Sequence, residues 1–212
     1  MLGTRIILAD DHTLMMDALK QLLTPEFEVV GTFADGRALV ESAPSLKPDV
    51  IVLDIAMPIM NGLNAGQRLK RAMPALKLIY LTMNHDPSMV AEAFQIGANG
   101  YLLKNSAASE LIDAIRKVVR GNSYVTPLLT VDVVGSPSRH FKNLKNTNYL
   151  TLRQKEVLQL LAEGRSMKEA AFILNVSPRT VAFHKYTMMD HLHIKTSAEL
   201  IQYAMNSQML AA

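Results

Sequence analysis

The sequence predicts two domains: an α/β domain built as a doubly wound, five-stranded parallel sheet, then an all-α domain of four helices with a helix-turn-helix. Three observations carry this. Short apolar runs alternate with helical patterns from Thr4 to Val119, at the spacing of strand–helix repeats. The alternation fails over residues 121–149, where Gly121-Asn122-Ser123, Pro127, Gly135-Ser136-Pro137-Ser138 and the Asn/Lys-rich Lys142–Asn148 read as a linker. Helical start signals then resume over residues 150–206. The expected boundaries are 1–120, a linker at 121–149 in which Val131–Val134 is a short apolar piece, and 150–212.

In the first domain the strand candidates are Arg5–Ala9, Phe27–Phe33, Val50–Leu53, Leu76–Leu81 and Gly100–Leu103. Helix candidates are Leu14–Leu23, Gly36–Ser42, Leu63–Arg71, Ser88–Ile96 and Ala108–Val119. The last of these places Leu111, Ile112, Ile115, Val118 and Val119 on one face. Breakers fall between the elements, at Thr24-Pro25, Pro44, Lys47-Pro48, Pro74 and Gly97.

Composition limits the class. Apolar residues make up 49% and charged residues 19%, ordinary for a soluble globular chain. No apolar run approaches the roughly 18 residues of a membrane helix. The run Ile6–Ala9 stops at Asp10-Asp11, too soon for a secretory signal, so a cytoplasmic protein without a membrane partner is expected. With no cysteine there is neither a disulfide framework nor thiolate chemistry. Residues 1–120 hold 12 Lys+Arg against 13 Asp+Glu, and residues 121–212 hold 10 against 6. The basic second half suggests a polyanionic partner, although an excess this small also arises by chance.

The strand ends share a theme. Strand one ends in Asp10-Asp11, strand three in Asp54, strand four in Thr82, and strand five runs into Lys104. In a parallel sheet these carboxyl ends face one rim. Carboxylates gathered there repel, by a few kcal/mol at an effective dielectric near 20, and call for a cation. Mg²⁺ prefers one or two carboxylates with phosphate oxygens and water, which suits Asp10, Asp11 and Asp54. Lys104 can pair with phosphate and the Thr82 hydroxyl can donate to it. Together they describe a carboxylate nucleophile that accepts a phosphoryl group.

The order Asp10-Asp11, Asp54, Thr82, Lys104, with Met57-Pro58 and Gly62 in the loop after Asp54, resembles the receiver domain of bacterial response regulators over residues 4–120. The resemblance implies a flavodoxin-like fold and transfer of phosphate to Asp54 from a histidine kinase. It also implies Mg²⁺ held by Asp10, Asp11, Asp54 and the backbone carbonyl of Ala56. Thr82 and Tyr101 become a switch pair, the hydroxyl moving toward phosphate and the ring swinging inward. By periodicity alone Tyr101 is a half-buried strand aromatic. His12 and His85 flank the rim and receive no role.

In the second domain, Thr151-x-x-Gln154, Ser166-x-x-Glu169 and Thr196-x-x-Glu199 are capping boxes. Ser177-Pro178 is an N-cap followed by proline, and Gly164 closes the first helix. The apolar faces are Val157, Leu158 and Leu161; Ala170, Ala171 and Leu174; Val181, Met188 and Leu192; and Leu200, Ile201 and Ala204. The short link Leu174–Ser177 fits a helix-turn-helix, although the apolar faces alone also allow a plain bundle.

Leu150-Thr151, Glu156-Val157-Leu158, Ala162-Glu163-Gly164, Lys168-Glu169-Ala170-Ala171 and Val176-Ser177-Pro178-Arg179-Thr180-Val181 with His184 resemble the LuxR-type DNA-binding domain. With the receiver, this is the NarL/FixJ type of response regulator. The resemblance implies that the third helix, Pro178–Leu192, enters the major groove of double-stranded DNA. On a helical wheel Val181, Met188 and Leu192 point inward, while Arg179, Phe183, Tyr186 and Asp190 point outward. By resemblance Ala182, Phe183 and Tyr186 face bases, and Ser177, Thr180 and His184 face phosphates. Arg179 is counted with the DNA-facing set, and Lys185 reaches a phosphate from a stem near the inner face.

The family usually has Lys or a similar polar residue where this chain has Ala182. Alanine and phenylalanine can touch a thymine methyl but cannot donate to guanine, so readout partly through apolar and shape contacts is expected. Phe183 has a second reading, packing against the receiver at rest. Helix Thr196–Met205 is the family's dimer element, or plain core. The function expected is a phosphorylation-controlled transcription factor, acting as a homodimer, and not an enzyme. A phosphate-independent regulator with a protein-docking receiver is the alternative. An aspartate-dependent phosphohydrolase is a third reading, opposed by the lack of a substrate-binding insertion.

Overall fold

A computed structural model describes residues 3–83, 85–106, 108–129 and 150–206. The first domain runs β1 (Arg5–Ala9), α1 (Thr13–Leu23), β2 (Glu28–Phe33), α2 (Gly36–Leu46), β3 (Val50–Leu53), α3 (Gly62–Ala72), β4 (Lys77–Thr82), α4 (Pro87–Ile96), β5 (Gly100–Leu103), α5 (Ala108–Val119) and β6 (Tyr124–Val125). All pairings are parallel, in the order β2-β1-β3-β4-β5-β6.

The strands' period of two sorts their side chains to two faces. Ile6, Leu8, Val50, Val52, Ile79 and Leu81 join Leu19, Leu23, Leu111 and Ile115 of α1 and α5 in one core. Ile7, Ile51, Leu53, Leu78 and Tyr80 join Leu39, Leu69 and Val90 of α2, α3 and α4 in the other. Both faces are covered, which is why these strands read as unbroken apolar runs.

Among the described residues the sheet has six strands where five were expected. β6 pairs with β5, the Thr126 N–H donates to the Tyr101 carbonyl at 3.1 Å, and Leu129 is buried in the core. A two-residue strand is too short to show alternation, so the first domain's packing overruns residue 120 into the expected linker. The rest of that stretch, including Val131–Val134, Gly135–Ser138 and Lys142–Asn148, lies outside the described residues. α2 also runs past its expected end at Ser42, through Pro44. Proline there falls in the last turn, where buried Ala43 holds the helix to the sheet and Lys47 ends it in a left-handed conformation with φ 47°. β4 is shifted by one residue, so Thr82 is its last member and pairs with Leu103.

The second domain holds α6 (Leu152–Ala162), α7 (Met167–Leu174), α8 (Pro178–His191) and α9 (Ser197–Asn206). Val157, Leu158, Leu160, Ala170, Ala171, Val181, Met188, Leu200 and Ala204 form its core. Capping boxes start α6 and α7, and the Ser177 side chain caps α8 by accepting from the Thr180 N–H. At α9 the Thr196 hydroxyl accepts from the Glu199 N–H at 3.2 Å, but the Glu199 carboxylate reaches one residue further back, to the Lys195 N–H at 2.9 Å. α6 packs on α3 and on the loop before it. There Glu156 is buried between Arg68 of α3, 2.7 Å from its Nε, and Arg153 at 3.0 Å, while Lys155 pairs with Glu92 of α4.

Candidate functional site

The strand order turns between β1 and β3, and in sheets of this kind sites form beyond the carboxyl ends at that point. Backbone pairing continues one residue past each strand and fixes the acids there. The Asp10 N–H donates to the Phe33 carbonyl at 3.0 Å, and the Asp54 N–H to the Ala9 carbonyl at 2.8 Å. Asp10 and Asp54 are buried and Asp11 is partly exposed. From β5, Lys104 Nζ crosses the rim to lie 2.8 Å from both Asp10 Oδ2 and Asp54 Oδ2. Its own N–H is held by the Thr82 carbonyl at 2.8 Å, which locks the ends of β4 and β5 together. Asp10, Asp11, Asp54, Thr82 and Lys104 thus gather at one rim.

Electrostatics follow from burial. Burial pushes the Asp54 carboxyl above the usual carboxylate range; the hydrogen bond from Lys104 offsets part of this, and Asp10 adds repulsion. For Lys104 burial alone would lower the pKa, but the hydrogen bonds it donates to Asp10 and Asp54 outweigh it and hold the ammonium charged. Asp10 Oδ2 meets Lys104 Nζ at 2.8 Å and Asp11 Oδ1 lies 3.0 Å from His12 Nδ1, so both buried oxygens keep lone pairs to spare. Hard, under-satisfied oxygens gathered within 4.8 Å fit a hard divalent cation such as Mg²⁺.

His12 joins this group, with Nδ1 3.0 Å from one oxygen of Asp10 and from one of Asp11. Its place directly after the acid pair was the one signal in the sequence. His85 is exposed and stays outside. Thr82 is buried at the tip of β4. Tyr101 is not half-buried: it is fully enclosed, because β5 lies between β4 and β6 and Met89 and Val90 of α4 cover that face. Burial raises its hydroxyl far above the usual tyrosine range, and the charges of Asp86 and Asp54 add to this.

The loop after Asp54 is tightly built. The Ala56 N–H bonds to the Asp54 carboxylate, and the Gly62 N–H returns to the Ile55 carbonyl at 2.8 Å. A Cβ on Gly62 would stand 2.0 Å from the Asp54 carbonyl oxygen, so only glycine fits. Asn61 caps α3 by accepting from the Asn64 N–H at 2.9 Å.

On the second domain, α8 turns its polar and aromatic face outward. Phe183 is 65% and Tyr186 60% exposed, and Ser177 and Arg179 are exposed as well. Phe183 therefore does not pack against the receiver. Thr180, Ala182, His184 and Lys185 are half-buried at the flanks. Lys185 Nζ lies 5.6 Å from the Tyr186 ring centre, and Phe183 meets His184 edge-on with centroids 5.6 Å apart. Desolvation lowers the His184 pKa, helped by the charge of Arg153, so the ring is neutral at pH 7. Val181 and Met188 point into the core as expected, while Leu192 packs beside it at the helix end.

Sequence reasoning missed Glu156, Gln159 and Glu163, which meet the receiver. In sequence they are polar positions on an amphipathic helix, and only docking of the two domains gives them meaning.

The family model for the response regulator receiver domain matches residues 6–116, and that for bacterial regulatory proteins of the luxR family matches residues 148–204. The oxygen regulatory protein NreC of Staphylococcus carnosus (strain TM300) is 34% identical over 97% of this chain and 99% of that protein. NreC of Staphylococcus aureus (strain MRSA252) is 35% identical over the same shares. Among solved structures, the RcsB response regulator of Salmonella typhimurium superposes with a TM-score of 0.64 at 29% identity, covering 96% of this chain and 97% of that one. A complex of the two-component response regulator RcsB with DNA superposes with a TM-score of 0.57 at 29% identity, over 95% and 97%.

Proposed function

The chain belongs to the two-component response regulators that join a receiver to a LuxR-type DNA-binding domain, and on that footing we propose that Asp54 is its phosphoacceptor and α8 its DNA-reading helix. The observation that carries this is the Asp54 carboxylate, buried at the tip of β3, 2.8 Å from Lys104 Nζ and gathered with Asp10 and Asp11. A carboxylate oxygen attacks phosphorus on a kinase phosphohistidine; the P–O bond forms as the P–N bond breaks, and the imidazole leaves to take up a proton.

Asp10, Asp11, Asp54 and the Ala56 carbonyl would hold Mg²⁺, which when bound neutralises charge on the transferring oxygens. Lys104 lets go of one carboxylate to pair with the phosphoryl group, and the Thr82 hydroxyl donates to it. Tyr101 already lies inward and closes the space beneath α4. The added charge biases a two-state receiver.

On α8, Ala182, Phe183 and Tyr186 meet base edges. Ser177, Arg179, Thr180, Lys185 and neutral His184 meet phosphates. A pair of such helices in a homodimer spans two half-sites about one turn apart. RcsB is described as binding DNA as dimers, which supports this reading.

The test is direct. With acetyl phosphate and Mg²⁺ the protein gains one phosphoryl group in mass and binds its operator more tightly. Asp54→Ala shows neither change. An unchanged mass for the parent protein would favour the phosphate-independent alternative.

A further inference from the structure

The loop between Asp54 and α3 is not held by the receiver alone. Gln159 of α6, fully buried, has both ends of its amide engaged with that loop. Its Oε1 accepts from the Asn61 N–H at 2.9 Å, and its Nε2 donates to the Met57 carbonyl at 2.8 Å. Nε2 also donates to Glu163 Oε1 at 2.8 Å, and the same Glu163 oxygen accepts from the Ile59 N–H at 3.0 Å. Three alternate backbone groups of one loop are thus bound by two side chains of the other domain.

The loop needs such support. Ile59 sits at φ 67°, in the left-handed region that a β-branched residue rarely adopts. Strain of this kind persists only where the surroundings over-determine it. Here the group that fixes the Ile59 N–H comes from the DNA-binding domain. The same loop carries Ala56, whose N–H binds the Asp54 carboxylate.

Resting on the phosphoacceptor reading above, we infer that Gln159 and Glu163 are positioning residues for phosphoryl acceptance. They hold the loop so that the Ala56 carbonyl is already placed for Mg²⁺, and binding the ion then costs little ordering. The influence is reciprocal: metal or phosphate that steadies the loop also steadies the packing of α6.

The test uses the full chain with acetyl phosphate as donor, together with calorimetric Mg²⁺ titration in the absence of donor. Losing the loop's hydrogen bonds in Gln159→Ala or Glu163→Ala raises the Mg²⁺ concentration for half-maximal labelling, and the calorimetric Kd, by roughly tenfold. The rate at saturating Mg²⁺ stays within about twofold, because the reacting groups are untouched. Amide exchange at Ile59 and Asn61 speeds up in both variants. Glu163→Gln keeps an acceptor for Ile59 and stays near the parent. Lys155→Ala breaks the pair with Glu92 elsewhere on the same seam and leaves Mg²⁺ affinity unchanged. Parent-like Mg²⁺ affinity in both alanine variants, or an equal loss in Lys155→Ala, overturns the inference. Failure of the parent itself to label on Asp54 would instead remove the reading beneath it.

Discussion

At the scale of single residues, the rim was legible because each acid follows its own strand directly. Asp10-Asp11, Asp54 and Lys104 needed only strand ends and a parallel sheet to converge, and they do. Gln159 was not legible, since its partners lie about a hundred residues away and meet it only after two domains dock. Gly62 makes the sharpest local prediction. In Gly62→Ala the new methyl group meets the Asp54 carbonyl, which is backbone and cannot swing aside. We expect a loss of about 1–3 kcal/mol in urea denaturation, together with slower labelling of Asp54. His184 gives a second. Its lowered pKa leaves it neutral at pH 7, so His184→Gln should leave the salt slope of DNA binding unchanged, while Arg179→Ala reduces the slope by about 1. On the proposed phosphate contact, a falling pH charges the parent's ring and raises its affinity for DNA; His184→Gln should lose that rise.

At the scale of elements, capping carried most of the information. The boxes at Thr151 and Ser166 and the N-cap at Ser177 name residues that bond as their spacing requires. What local pattern could not give was β6, whose two residues owe their conformation to the edge of β5, and the end of α2, which tertiary burial extends past Pro44. α8 supports a prediction about readout. Its outward face offers Phe183 and half-buried Ala182, neither able to donate a hydrogen bond to a base. Operator selection with the parent protein should return thymine at the positions they touch. Ala182→Lys should shift that preference toward guanine by about 1–3 kcal/mol per contacted pair, measured by competition between operators.

For the whole molecule, the seam between α3 and α6 holds an acid that neither domain could bury alone. Glu156 is fully enclosed and lies between Arg68 of one domain and Arg153 of the other. Removing one partner of a buried pair is costly, because the charge left behind has lost its solvent as well. Arg68→Ala should therefore separate the halves, visible as a lower sedimentation coefficient at unchanged mass, while each domain keeps its helical signal. A sedimentation coefficient matching the parent would show that other contacts hold the seam.

The receiver grips α6 and leaves the outer face of α8 bare, and this bears on how the protein searches a genome. A regulator whose reading helix stays open can slide along any duplex by phosphate attraction alone, with no need to part its halves first. Its incoming signal then acts on molecules already scanning the chromosome, and decides how long each one stops.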